Sequence, residues 1–189
     1  MKTEIKIIKF LLAGRKSCTI RELSKGIKAD YKITHTAVQS LIKKGVLEGV
    51  RIGQSVQVSL TLRLTKDTYE AEDERRTDLM KNRNIQTVDF WLSELKFPFI
   101  ALIFGSHAKG VATKHSDIDI MIICDENRKK HVENKMSMMT FDIHLIVLTP
   151  DEFLSGMRSK EPMVQAEALK NHIILVNIEQ YYGMVSNAG

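Results

Sequence analysis

An unbroken apolar run, Phe99 to Phe104, ends abruptly at a glycine-serine pair, Gly105 and Ser106. Six apolar residues in succession favour a β-strand that is buried on both faces, because a strand with one solvated face alternates apolar and polar residues. Further strand-like runs follow at 118–124, 141–148 and 173–176, separated by polar or helical segments. The second half of the chain is therefore predicted to be α/β or α+β.

The first third of the chain changes from a helical period to a period of two. Apolar residues recur at helical spacing in three short segments, and Thr34 is the predicted N-cap of the third helix. Over residues 46–64, apolar residues alternate with polar ones around a turn at 53–55, which predicts a β-hairpin. Three helices followed by a hairpin is the order of a winged helix-turn-helix domain, and we predict one over residues 1–65.

Charge is divided unevenly along the chain. Residues 1–65 carry 13 Lys and Arg against 4 Asp and Glu, whereas the remainder carries 15 against 19. A basic surplus favours a polyanionic partner, and we predict double-stranded DNA, contacted by the third helix and the hairpin. The predicted DNA contacts are His35, Thr36, Gln39, Lys43 and Arg51. The alternative is a winged helix that serves only protein interaction or dimerisation. A homodimer is also expected, because small winged-helix proteins usually bind a palindromic DNA site as dimers.

A densely charged stretch at 66–84 contains no glycine or proline. We predict that it forms a solvated connecting helix. A second helix is predicted over 85–95, where apolar residues share one face, and Pro98 marks its end. The remaining residues, 85–189, are predicted to form the second domain.

The composition indicates in which compartment the protein is located and which kinds of site its cysteines can form. The chain has 189 residues, of which 43% are hydrophobic and 27% charged, so it can bury a core and is not disordered. No apolar run approaches the ~20 residues of a membrane span, and Lys6 and Lys9 interrupt the N-terminal apolar stretch where a signal sequence would be continuous. Cys18 and Cys124 lie far apart and show no metal-ligand spacing. We predict a cytoplasmic protein that has no membrane partner.

The glycine-serine pair stands where the buried strand gives way to a predicted helix. A glycine lets a phosphate group approach the backbone closely, and the N–H groups at the start of a helix favour an anion. Gly105 and Ser106 are therefore a predicted phosphate-binding turn. Lys109 lies in the same first turn, where it either adds a phosphate contact or is a solvated lysine.

Three carboxylates follow this turn. Asp117 and Asp119 are two residues apart on a predicted strand, so both point to one face, where their repulsion favours a divalent cation such as Mg²⁺ between them. Asp142 interrupts a later strand, and pairing of the two strands would bring it to the same cluster. His144 shares the face of Asp142 and is interpreted as a packed or surface histidine. The alternative interpretation of the aspartate pair is two polar residues at a strand end.

Taken together, these residues resemble the DNA polymerase beta-like nucleotidyltransferase superfamily, and most closely its minimal nucleotidyltransferases. The resemblance is carried by Gly-Ser with a basic residue and a glycine at 105–110, by Ser-Asp-x-Asp at 116–119, and by the later Asp142. Two positions depart from the usual pattern: His107 and Lys109 stand where arginine is common. The predicted fold is α+β, with an α/β-like nucleotidyltransferase sheet at 85–189 behind the winged helix-turn-helix.

The resemblance implies a reaction and a role for each residue. Gly105, Ser106 and Lys109 would bind the phosphates of a nucleoside triphosphate, with ATP as the expected donor. Asp117 and Asp119 would each ligate two Mg²⁺ ions, while Asp142 would ligate one of them and accept the proton of the attacking hydroxyl. The expected activity is transfer of AMP to a hydroxyl of a protein, nucleic acid or small molecule that a separate partner supplies. The alternative is a transcriptional regulator whose nucleotidyltransferase fold senses a nucleotide without turnover.

Overall fold

Two separate hydrophobic cores organise the chain, whose computed structural model describes residues 2–14, 17–158 and 171–186. The first core belongs to a unit that comprises Met1–Glu74, and the second to a unit that comprises Arg75–Gly189. None of the described helices is both long enough and apolar enough to cross a membrane.

Three helices and a small antiparallel sheet form the first unit. The helices are α1 (Thr3–Leu12), α2 (Ile20–Gly26) and α3 (Tyr31–Lys43), and the strands are β1 (Cys18–Thr19), β2 (Leu47–Ile52) and β3 (Ser55–Leu60). The predicted hairpin is formed by β2 and β3, and the two-residue strand β1, which the sequence did not predict, pairs with the other side of β3. The predicted apolar helix faces supply the core, in which Ile5, Leu23, Val38 and Leu41 are fully buried.

Helix α3 begins earlier than its sequence pattern predicts. Its N-cap is Asp30, whose carboxylate accepts hydrogen bonds from the backbone N–H groups of Lys32 (2.8 Å) and Ile33 (3.2 Å). Thr34 was the wrong choice of cap, because it lies inside the first turn, is fully buried, and donates its hydroxyl to the Asp30 carbonyl. The earlier start adds Tyr31 and Lys32 to the exposed surface of the helix.

The charged stretch after the hairpin forms α4 (Lys66–Leu79), and this helix is not a solvated connector. Five of its side chains are buried: Thr68, Ala71, Glu72, Arg75 and Leu79. Arg75 donates to the His172 carbonyl (2.7 Å), and Arg76 donates to the Leu175 carbonyl (2.9 Å) and forms an ion pair with Asp89 (3.1 Å). Charges that appeared solvated in the sequence therefore stabilise the second unit by bonding to its backbone.

The second unit is a four-stranded mixed sheet with helices. Its strands are β4 (Ile100–Ile103), β5 (Ile118–Ile123), β6 (Ile143–Leu148) and β7 (Ile173–Val176), in the order β6-β5-β4-β7. Strands β5 and β6 are parallel, and the other neighbours are antiparallel. The described helices are α5 (Arg83–Ser93), α6 (Gly105–Lys109), α7 (Lys129–Met136), α8 (Pro150–Arg158) and α9 (Ile178–Ser186), and a 3-10 turn covers Glu126–Arg128. The arrangement is α+β, as predicted, and all four residues of β4 are buried.

The cap of α3 gives a stability prediction. Asp30→Ala removes the acceptor of two backbone N–H groups and should lower the free energy of unfolding by about 1 kcal/mol, whereas Asp30→Asn keeps an acceptor and should cost only a few tenths. Urea unfolding followed by circular dichroism measures both variants. Equal losses for the two substitutions would show that the cap does not set the start of α3.

Candidate active site

The turn after β4 depends on a left-handed glycine. Strand β4 ends at Ile103, Phe104 is the N-cap of the short helix α6, and Gly105 follows with φ +65°. This conformation is costly for a residue that carries a Cβ, so glycine is the favoured residue here. Gly110, also left-handed at φ +70°, ends the helix.

The Asp119 carboxylate lies directly against Gly105. Antiparallel pairing of β4 with β5 produces this contact, because the Phe104 N–H donates to the Asp119 carbonyl (3.0 Å). A Cβ built on Gly105 would lie 1.9 Å from Asp119 Oδ2 and 2.7 Å from its Cγ. Gly105 is therefore required twice, for its backbone conformation and for the space that the carboxylate occupies.

The other two predicted carboxylates stand at the starts of neighbouring strands. Asp117 precedes β5 by one residue, and Asp142 precedes β6 by one residue rather than lying within it. The two starts are adjacent, since the Ile118 N–H donates to the Asp142 carbonyl (3.1 Å). Ile118 enters the core, as does Ile120, while the side chains of Asp117 and Asp142 are exposed. The backbone thus brings all three aspartates to one end of the sheet.

Asp119 has a side-chain partner, His144, which is exposed on β6. His144 lies opposite Asp119 in the parallel register of β5 and β6, and its Nδ1 is 3.0 Å from Asp119 Oδ1. The imidazole ring also contacts the Phe104 ring edge-on, with centroids 6.1 Å apart. The spacing of residues within β6 predicts that His144 shares a face with Asp142. The pairing register of β5 and β6 adds that the carboxylate it contacts is that of Asp119.

The three aspartates have the chemistry of a cation site, but their side chains are not gathered into one. Carboxylate oxygens are the donors that Mg²⁺ prefers, and the space against Gly105 admits the Asp119 carboxylate. Across the described ranges, however, no three His, Cys, Asp or Glu side chains are gathered into a metal-binding group. The donor chemistry and backbone placement fit a divalent cation, and the exposed Asp117 and Asp142 side chains would have to turn toward Asp119 to complete the ligand set.

The predicted phosphate-binding residues all lie on the turn and on α6. Ser106 is half-buried, and its carbonyl accepts from the Val111 N–H (3.1 Å). The prediction that Lys109 lies in the first turn was wrong, because Gly110 ends the helix after five residues and Lys109 is its exposed last residue. His107 is half-buried, and its Nε2 has no hydrogen-bond partner among the described residues. The residue that replaces the usual arginine therefore packs against the unit instead of extending into solvent.

The predicted DNA-contacting residues are all exposed on the first unit. His35, Thr36, Gln39 and Lys43 lie on α3, and Arg51 lies on β2, near the hairpin turn. Tyr31 is one helical turn before His35, and their rings are 6.2 Å apart. Tyr31 and Lys32 lie on the same helix but outside the predicted set, because the predicted helix begins after Ile33. The preference of aspartate for the N-cap position, at Asp30, is the sequence signal that would place them on the helix.

A family model described as "Polymerase beta, Nucleotidyltransferase" matches residues 77–181, which is more than half of the chain. The chain belongs to the polymerase beta nucleotidyltransferase family. The match includes β4, β5 and β6 with Gly105 and all three aspartates. Family membership therefore supports nucleotidyl transfer as the general activity of this unit.

Other comparisons add little. No curated protein matches the chain. A solved structure, that of Sso10a-2, a DNA-binding protein from Sulfolobus solfataricus, is 17% identical over 50% of this chain and 96% of its own, with a TM-score of 0.33. A likeness at that level carries no argument about fold or function.

Two left-handed glycines offer a matched test of the contact with Asp119. Gly110→Ala should lower the free energy of unfolding by roughly 1–2 kcal/mol, the cost of a left-handed alanine, because a Cβ there meets nothing within 4 Å. Gly105→Ala should cost about 1 kcal/mol more, since the new Cβ displaces Asp119 from His144. Urea unfolding of both variants measures the difference. Equal losses would mean that the carboxylate does not need the space over Gly105.

Proposed function

We propose that the second unit transfers AMP from ATP to a hydroxyl group of a separate acceptor, and that the first unit is a winged helix-turn-helix that binds double-stranded DNA. The observation that carries the first part is the Asp119 carboxylate held against left-handed Gly105, beside the strand starts of Asp117 and Asp142, in a member of this family. We also propose a cytoplasmic location, a compartment in which thiols such as the free Cys18 and Cys124 stay reduced.

The proposed reaction is an in-line displacement at phosphorus. The acceptor hydroxyl oxygen attacks the α-phosphorus of ATP and forms a new phosphorus–oxygen bond. The bond from the α-phosphorus to the bridging oxygen breaks, and pyrophosphate leaves with its electron pair. Asp142 accepts the proton of the hydroxyl, and the exposure of its carboxylate keeps it within reach of an incoming acceptor. Gly105, Ser106 and Lys109 orient the β- and γ-phosphates.

Two Mg²⁺ ions complete the proposed site. Asp117, Asp119 and Asp142 would hold them, since all three offer carboxylate oxygens at one end of the sheet. When bound, the ions stabilise charge on the entering and leaving oxygens. The contribution of the protein is to fix the ligands, and the Asp119 carboxylate is hydrogen-bonded to His144.

Charge and exposure support the proposed DNA-binding role of the first unit. Its basic surplus is concentrated in residues 1–65, and the predicted contacts share the exposed surface of α3 and the hairpin. A helix that presents polar and basic side chains suits the major groove, and a hairpin beside it suits the adjacent backbone. A homodimer would allow the unit to read a palindromic site.

Incubation of the purified chain with labelled ATP, GTP, CTP or UTP, Mg²⁺ and a cell lysate tests the enzyme proposal. We expect label from ATP to reach an acceptor, and Asp117→Asn or Asp119→Asn to reduce transfer by at least about 100-fold. Asp73→Asn, which removes an equal charge from an exposed position of α4, is the matched control and should transfer normally.

The outcomes of this experiment separate the candidate functions. Mg²⁺-dependent nucleotide binding without transfer of any label would contradict the enzyme and favour a regulator that senses a nucleotide. Equal transfer by wild type and both aspartate variants would show that a contaminating enzyme supplies the activity.

Salt dependence tests the DNA-binding proposal. The affinity of the full chain for duplex DNA, measured by fluorescence anisotropy, should fall steeply as salt rises. Lys43→Gln should weaken binding and reduce the slope of log affinity against log salt by about 1, because one phosphate contact is lost. Lys130→Gln, at an exposed position on α7, is the matched charge control. An absence of duplex binding at low salt would refute the proposal.

A further inference from the structure

We propose that His144 is a positioning residue that fixes the Asp119 carboxylate in the orientation the active site requires. The inference rests on the proposed function, because it concerns an aspartate to which that function gives a metal-binding role. It assigns a task to a histidine that the Gly-Ser and Ser-Asp-x-Asp pattern does not include.

The strand register makes the contact between the two side chains. Asp119 on β5 and His144 on β6 are direct partners in a parallel pair, so both project from the same face at neighbouring positions. The Nδ1–Oδ1 distance of 3.0 Å is that of a hydrogen bond. Since a carboxylate only accepts hydrogen bonds, Nδ1 is the donor.

The carboxylate is held from both sides. His144 bonds Oδ1, while Oδ2 lies over Gly105 at a distance that no Cβ would permit. The imidazole is in turn located by Phe104, the buried residue that precedes Gly105, through the edge-on ring contact. Gly105 and His144 therefore lie against the two oxygens of the Asp119 carboxylate and restrict its rotation, while Phe104 contacts the imidazole.

This restriction favours cation binding rather than opposing it. A carboxylate has about four lone-pair sites, so the bond to Nδ1 leaves Oδ1 and Oδ2 with capacity for a cation. Hydrogen bonds to a ligating carboxylate reduce the freedom that binding would otherwise have to remove, and loss of such an outer partner typically costs 10- to 100-fold in metal affinity. If His144 instead competed with the cation for Asp119, its removal would raise the affinity, so the two roles predict opposite signs.

Mn²⁺ binding to the full chain, measured by isothermal titration calorimetry at one pH, tests the inference. His144→Ala should weaken binding by about 10- to 100-fold. His144→Asn places an amide N–H near the position of Nδ1 and should restore affinity to within a few-fold of wild type. His131→Ala removes another exposed histidine of the same unit, on α7, and should leave Mn²⁺ affinity unchanged.

Transfer kinetics provide a second readout. His144→Ala should raise several-fold the Mg²⁺ concentration that gives half-maximal transfer, and should lower the maximal rate by a smaller factor. A general loss of folded protein would instead lower the maximal rate and leave this concentration unchanged. Unchanged or tighter Mn²⁺ binding by His144→Ala, with binding by wild type intact, overturns the role of His144 alone. Failure of the wild type to bind Mn²⁺ overturns the proposed function and, with it, this inference.

Discussion

The close contact between Gly105 and Asp119 is the constraint on which the candidate site depends. It exists only because Gly105, a left-handed residue without a side chain, follows shortly after β4 and because β5 returns antiparallel, with Asp119 beside that residue. The buried residues of β4 and β5 fix this relation, since a shift of one residue in their pairing would turn Asp119 to the opposite face. Core packing therefore determines the position of an ionisable group at the surface.

Local patterns predicted most of the elements in this structure. The continuous apolar run predicts that β4 is buried on both faces, and the alternation of apolar and polar residues around 53–55 predicts the hairpin of β2 and β3. The pair Asp117 and Asp119 could be assigned to one face from spacing alone, because the strand period is two. These features are short-range, so the residues that produce them are neighbours in the sequence.

Features that depend on tertiary contacts could not be predicted in the same way. Helix α4 has the composition of a solvated helix, yet Arg75 and Arg76 bond to carbonyls that lie almost 100 residues later in the chain. The partner of His144 likewise depends on the register between β5 and β6, which spacing within one strand does not contain. The start of α3, in contrast, depends on local contacts. Asp30 and Thr34 are both residue types that cap helices, and Asp30 is the cap because its carboxylate accepts hydrogen bonds from two backbone N–H groups.

The strand order β6-β5-β4-β7 has a consequence for how the second unit folds. Strands β4, β5 and β6 are consecutive in the chain and adjacent in the sheet, and the segments that connect them, which contain α6 and α7, are shorter than the segment between β4 and β7. Strand β7 instead pairs with the far side of β4 across about 70 residues, at a greater cost in chain entropy. The geometry around Asp119 can therefore be established by relatively local contacts before the sheet receives its last strand.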